Sequence, residues 1–140
     1  MAEETPERRG FTVLLDSNFL FIPLRFGVDI FEELQRLLGV LVRCVVPSPV
    51  VKELRLLRRD AKPSLRREID FALDLAKRCE TAEEHVEPGE KVDDVLIRLA
   101  RRWRCPVATN DSELRQRLRA EGVSVIYLRQ QAYLDMEGVF

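Results

Sequence analysis

Phe11-Thr-Val-Leu-Leu-Asp16-Ser-Asn18 is the stretch on which the fold turns. Five largely apolar residues run without a break and end in an acid followed by two small polar side chains. A strand buried on both faces reads this way, because helices on both sides leave no solvent face for polar residues to mark. Arg43–Val46, Val107–Thr109 and Val123–Leu128 are predicted as further strands. Helices are predicted between them. Asp29 caps one with the stripe Phe31, Leu34, Leu38 and Leu41, and Gly39 ends it. Ser48 supplies a hydroxyl cap and Pro49 a first-turn proline for the next, which carries Glu53 and buries Val50, Val51, Leu54 and Leu57. A longer helix follows, with Leu65, Ile69, Ala72, Leu73, Ala76 and Cys79. Asp93–Arg104 and Ser112–Ala120 are the last two, the latter stopped by Gly122. Pro23 makes Phe19–Phe26 a short or broken helix, and residues 80–91 read as a polar loop. Strands alternating with helices imply an α/β fold, a central parallel sheet with helices on both faces.

With 140 residues the chain has the size of one domain. Residues 1–9 are expected to form a flexible tail and 10–140 the domain. No apolar stretch is long enough to span a bilayer, and the charged start Ala2-Glu-Glu-Thr-Pro-Glu-Arg-Arg9 does not resemble a signal peptide, so a cytoplasmic location with no membrane contact is expected. The three cysteines, Cys44, Cys79 and Cys105, include no CxxC pair. They are read as small buried thiols rather than a zinc site. His85, the single histidine, lies in an acidic loop and is read as a surface residue, which argues against a Ser-His-Asp triad. A net charge of −1 excludes strong nonspecific attraction to nucleic acid. Arginine nonetheless dominates the basic residues, with only four lysines, and arginine suits bidentate phosphate contacts as well as surface ion pairs.

Asp16 and Asp111 each follow an apolar run, while Glu53 and the pair Asp93 and Asp94 stand near helix starts. Ligands of open α/β sheets bind outside the carboxyl ends of the strands. Carboxylates gathered there repel one another, and a hard divalent cation such as Mg²⁺ or Mn²⁺ resolves that conflict. Any one of these acids could simply cap a helix: Asp93 and Asp111 are both well placed to do so. The company they keep is more telling. Ser17 and Asn18 follow Asp16, and Thr109 and Asn110 precede Asp111, small polar groups suited to orienting a carboxylate or a water. This pattern points to metal-dependent phosphodiester chemistry.

Val13-Leu-Leu-Asp16-Ser-Asn18, Val50-Val-Lys-Glu53-Leu, Val92-Asp-Asp94-Val-Leu-Ile and Val107-Ala-Thr-Asn-Asp111-Ser-Glu-Leu114 resemble, in order and spacing, the motifs of PIN-domain nucleases. They look most like archaeal PIN proteins similar to small-subunit ribosomal RNA-processing endonucleases. Gly122-Val-Ser-Val-Ile-Tyr-Leu-Arg129 fits the last strand of that family. Ser17 departs from its commonest first motif, Asp-Thr-Asn, but keeps a hydroxyl. The resemblance implies a three-layer α/β/α sandwich and Mg²⁺- or Mn²⁺-dependent endonucleolytic cleavage of single-stranded RNA. It also implies an acidic site of Asp16, Glu53, Asp93 or Asp94 or both, and Asp111. Asp16 and Asp111 would approach a metal directly, Asp94 or Asp93 would complete the set, and Glu53 would serve a second metal or position water.

Arg58, Arg59, Lys62, Arg66, Arg67 and Arg115 are candidates for RNA contact. The crowded apolar run Phe19–Ile22 with Phe26 suggests a homodimer. Two related readings are a PIN-type toxin ribonuclease held by an antitoxin and a catalytically silent scaffold that binds RNA or protein; a ribosome-assembly partner would accompany the processing role. A phosphoacceptor receiver domain is disfavoured, because it needs an acidic pair at the first strand and a lysine after the last, where this chain has Asp16 alone and Arg129.

Overall fold

Val13, Leu14 and Leu15 are fully enclosed because their strand, β1 (Phe11–Leu15), runs through the middle of the sheet. The computed structural model describes residues 11–138, so the tail expected over 1–9 lies outside the described residues. After β1 a 3₁₀ turn (Asn18–Phe21) leads into α1 (Ile22–Phe26), which Gly27 ends at a left-handed φ of 67°. There follow α2 (Ile30–Leu38), β2 (Val42–Pro47), α3 (Ser48–Arg59), α4 (Pro63–Ala76), β3 (Glu80–Ala82) and α5 (Val92–Trp103). The chain continues through β4 (Val107–Ala108), α6 (Ser112–Ala120), β5 (Val125–Arg129) and β6 (Tyr133–Glu137).

Among the described residues the sheet has six strands in the order β3-β2-β1-β4-β5-β6. β1 is flanked by β2 and β4, both parallel to it, and only the β5–β6 pair is antiparallel. Helices cover the two faces in three layers, as the α/β/α expectation requires. The chain leaves β1 toward β2 on one side and later returns to β4 on the other. That reversal makes the carboxyl ends of β1 and β4 a topological switch point, where open α/β sheets form a crevice.

Two strands correct the sequence-based prediction. β3 lies inside the predicted polar loop: it is a three-residue edge strand, Glu80-Thr-Ala82, too exposed to carry an apolar signature. β6 was not predicted, because the hairpin before it lacks the usual turn residues. Gln130 and Gln131 take the left-handed φ values of 54° and 57° there, positions where glycine or asparagine normally announces a hairpin. Leu41, predicted to join the α2 stripe, lies beyond the helix and is 68% exposed.

Phe19, Leu20, Phe21 and Ile22 are buried within the chain itself. The 3₁₀ turn and α1 plug the core with them, mainly against α4. The apolar run that suggested a homodimer is therefore satisfied internally, with Leu24 and Phe26 the exposed large apolar side chains of this segment. No helix among the described residues is long and apolar enough to cross a membrane.

Candidate active site

Asp16 stands one residue past β1, and its backbone N–H donates to the Ala108 carbonyl of β4 at 3.0 Å. That bond carries the neighbouring strand's exit, Thr109-Asn110-Asp111, to the side of Asp16. Asp16 is 4% exposed, and three donors fix its carboxylate. They are the Ser17 N–H at 2.8 Å, the Thr109 hydroxyl at 2.8 Å and the Asn18 side-chain amide at 3.2 Å. Asn18 accepts the Asn110 N–H at 2.9 Å, and Asn110 in turn accepts the Leu128 N–H at 2.8 Å. One polar chain thus ties together the exits of β1, β4 and β5. The four small residues predicted to orient the acids all take part in holding them: Ser17, Asn18 and Thr109 touch a carboxylate, and Asn110 braces Asn18.

Burial pushes the Asp16 pKa from the ordinary 3.8 to about 6. The Thr109 and Ser17 hydrogen bonds pull against that rise, while the charges of Asp93 and Glu53 add to it. Glu53 rises from the second turn of α3, where its carboxylate accepts the Ser17 hydroxyl at 3.0 Å. Its pKa is also raised, first by desolvation against the surrounding chain, then by Asp93, with the Ser17 bond opposing. Asp93 behaves alike. Burial raises its pKa, the charges of Asp111, Asp94 and Glu113 add to the rise, and Arg117 counters it.

Asp93 and Asp94, adjacent in sequence, have separate surroundings. The Asp94 carboxylate accepts the Lys91 backbone N–H at 2.8 Å and an Arg117 N–H at 2.7 Å, and those contacts lower its pKa. Asp94 is thus the residue that caps α5, a role expected of Asp93. Neighbours on a helix point about 100° apart, and the turn that commits Asp94 to the cap leaves Asp93 facing Asp16 and Glu53. Asp111 caps α6 as predicted. Its Oδ1 accepts the Glu113 N–H at 2.9 Å and the Leu114 N–H at 3.1 Å, so Oδ2 lies outside those bonds. Ser48 does not cap its own helix. Its hydroxyl donates to the Glu84 carbonyl at 3.1 Å and accepts the Glu84 N–H at 2.9 Å, which pins the segment after β3 to the start of α3.

Glu113 is the acid that motif spacing alone does not single out. It lies in the first turn of α6, two residues after Asp111, and its charge reaches Asp93. Of the candidate RNA contacts, Arg58 is held by Asp70 at 2.6 Å, and Arg115 is bound to Glu137 at 2.8 Å and stacked 3.7 Å from the Tyr127 ring centre. Arg59, Lys62, Arg66 and Arg67 are exposed. A groove of about 550 Å³ opens beside Glu53, lined by Ser17, Phe21, Leu56, Leu57 and Asp60 among others. His85 is exposed and bonded to Glu87, as a surface residue should be.

The donors gathered at the switch point are all oxygens, and three of their carboxylates are hard to ionise together. Both properties suit a hard divalent cation. Among the described residues no three acidic side chains converge closely enough to enclose an ion. That departs from a closed cage of four carboxylates. It fits a cation that keeps most of its water and takes one or two carboxylates, as Mg²⁺ does.

Comparison with known proteins bears on the family and the fold. Ribonuclease VapC4 of Methanocaldococcus jannaschii is 27% identical over 132 residues, covering 92% of this chain and 98% of the relative. The rRNA-processing protein utp23 of Schizosaccharomyces pombe is 28% identical over 129 residues, covering 91% of this chain but 48% of the relative. The solved structure of the PIN domain endonuclease Utp24 superposes with a TM-score of 0.75 at 27% identity, covering 91% of this chain and 92% of that one. The family described as PIN like domain matches residues 13–131. By that match, and by the six-stranded sheet with its acidic switch point, the chain belongs to the PIN-like domain family.

Proposed function

We propose that this protein is a metal-dependent endoribonuclease that hydrolyses phosphodiester bonds of single-stranded RNA. The observation that carries the proposal is the mutual electrostatic crowding of Asp16, Glu53 and Asp93, with Asp111 at its edge, at the switch point of the sheet. Such crowding costs stability and is characteristic of sites built for chemistry. One or two of Asp16, Asp93 and Asp111 would hold Mg²⁺ or Mn²⁺ directly and the rest through its bound water, with Glu53 at the rim. The bound cation would lower the pKa of water and offset charge on the reacting phosphate. Thr109, Asn18 and Ser17 aim Asp16, and Ser17 also sets Glu53 within reach of an attacking water. Leu56 and Leu57, each about half exposed beside Glu53, offer an apolar shelf for unstacked bases. Arg59, Lys62, Arg66 and Arg67 supply positive charge farther along the same helical pair.

The relative named for rRNA processing supports a role in rRNA processing, and the similar PIN domain endonuclease supports endonucleolytic cleavage. The near full-length match to a VapC ribonuclease favours the alternative, a toxin of a toxin–antitoxin pair. Cleavage of ribosomal RNA precursor at one position supports the first, and scattered cleavage of messenger RNA the second.

The direct test is cleavage of a defined single-stranded RNA. Activity is expected with Mn²⁺ and Mg²⁺ and is expected to vanish in EDTA. Equal cleavage in EDTA would overturn metal dependence, and no cleavage under any condition would leave a silent RNA- or protein-binding scaffold. The separate surroundings of the paired aspartates give a second expectation. Asp93→Asn is expected to remove most activity and spare the melting temperature. Asp94→Asn is expected to lower the melting temperature by a few degrees, since it loses charge at a helix N-terminus, and to retain most activity. The reverse pattern would make Asp94 the functional carboxylate.

A further inference from the structure

Cys44 and Cys79 lie outside the acidic site, and nothing in the proposed chemistry uses them. β2 and β3 pair in parallel with Val45 opposite Glu80, so Cys44 of β2 and Cys79, the residue just before β3, each lie one residue short of that first pair and side by side at the start of the ladder. Side chains alternate along a strand. Val45 and Glu80 therefore share one face, where Arg43 also reaches Glu80 at 2.8 Å, and the two cysteines share the other. Adjacent strands lie about 4.8 Å apart, within the 4.4–6.8 Å range of Cα separations that a disulfide spans. The two thiols are near enough for each to shift the ionisation of the other. Cys79 in turn donates to the Leu75 carbonyl at 3.6 Å. Both side chains are half-buried rather than sealed, and β3 is the outer strand, so a small oxidant can reach them.

We infer that Cys44 and Cys79 are a redox-modification site that closes to a reversible cross-strand disulfide, stapling the edge strand β3 to β2. The oxidant is a low-molecular-weight disulfide. A Cys79 thiolate attacks one of its sulfurs and releases one small thiol. Cys44, losing its proton, then displaces the second small thiol and forms the Cys44–Cys79 bond. Two protein thiols are oxidised and one small disulfide is reduced to two thiols. The neighbouring Cys44 thiol and the nearby Arg78 guanidinium favour the thiolate at Cys79, against the opposing effect of its burial. Arg78 is kept near by stacking 4.3 Å from the Phe31 ring centre. Cys105 is buried, and burial raises its pKa to about 12, so it stays out of the exchange.

The bridge would close the chain segment that holds all of α3 and α4, including Glu53. Constraining a loop of that size in the unfolded chain is expected to raise the melting temperature by roughly 5–10 °C. The test treats the folded full chain with oxidised glutathione at pH 8 and counts thiols by mass spectrometry. Of the three thiols, Cys105 alone is expected to remain, in a monomeric product whose digest contains a Cys44–Cys79 linked peptide. Dithiothreitol should reverse both the mass change and the thermal shift. Cys105→Ser should behave as the parent, and Cys79→Ser should show no bridge. Stable glutathione adducts without an internal bridge, a disulfide between chains, or no thiol loss in the folded state would each overturn the inference. The mass readout on the parent chain stands whether or not a variant folds.

Discussion

Asp16→Asn is expected to reduce RNA cleavage by about 10²–10³-fold or more while leaving the metal-free protein at least as stable as the parent at neutral pH. The two halves of this result have one cause. Asp16 takes up its proton at about 6 in the folded chain against the ordinary 3.8. Between those values the folded state holds a proton that the unfolded state has released. The stability contributed by this group is therefore fully present below about pH 3.8 and is lost as the pH rises through about 6. The loss is on the order of 3 kcal/mol, from a shift of about two pKa units. Asparagine never ionises and does not incur it. Part of the gain is offset because the asparagine amide is a poorer match for the Ser17, Asn18 and Thr109 donors.

Denaturant titrations in EDTA from pH 4 to pH 8 separate this from a structural role. The stability of Asp16→Asn relative to the parent should grow across the window from about 4 to 6 and then level off. A deficit that is the same at every pH would show that Asp16 is needed mainly as an acceptor for its neighbours. It would also remove electrostatic crowding as the basis for the functional reading.

How far the site could be read from the sequence depended on how local each signal was. Asp16 and Asp111 were legible because each ends an apolar run, and strand ends are where such a sheet presents groups. The capping role of Asp111 was legible for the same local reason. The division of labour between Asp93 and Asp94 was not. It hangs on whether the helix begins one residue earlier or later, and boundaries of that kind are set by tertiary contacts such as the Arg117–Asp94 ion pair. Ser48 looked like a cap, and a partner 36 residues away claimed its hydroxyl instead. β6 carries no turn signal in the sequence, because Gln130 and Gln131 occupy backbone conformations that their side chains do not advertise. Glu113 was hidden by its own position: an acid in the first turn of a helix is ordinary, and only its charge on Asp93 marks it.

Thr109→Val is expected to lower cleavage by about 10–100-fold and to move the acidic limb of the pH–activity profile upward. Thr109 is fully buried, and its hydroxyl donates to Asp16 at 2.8 Å while accepting the Asp111 N–H at 3.1 Å. Valine keeps the shape and removes the hydroxyl. The donor favours the ionised carboxylate, so its loss drives the Asp16 pKa further above about 6. At neutral pH the variant must either keep a charged Asp16 with one donor fewer, at about 1.5–3 kcal/mol, or hold Asp16 protonated and useless for cation binding. Raising the pH ionises Asp16 again, so activity should recover in part toward pH 8–9. Thr109→Ser retains the hydroxyl and should restore both the rate and the profile. A variant that loses activity equally at all pH values would point to displacement of Asp111 rather than to mis-set ionisation of Asp16. The hydroxyl of Thr109 would then matter for the turn into α6 and not for the charge at the end of β1.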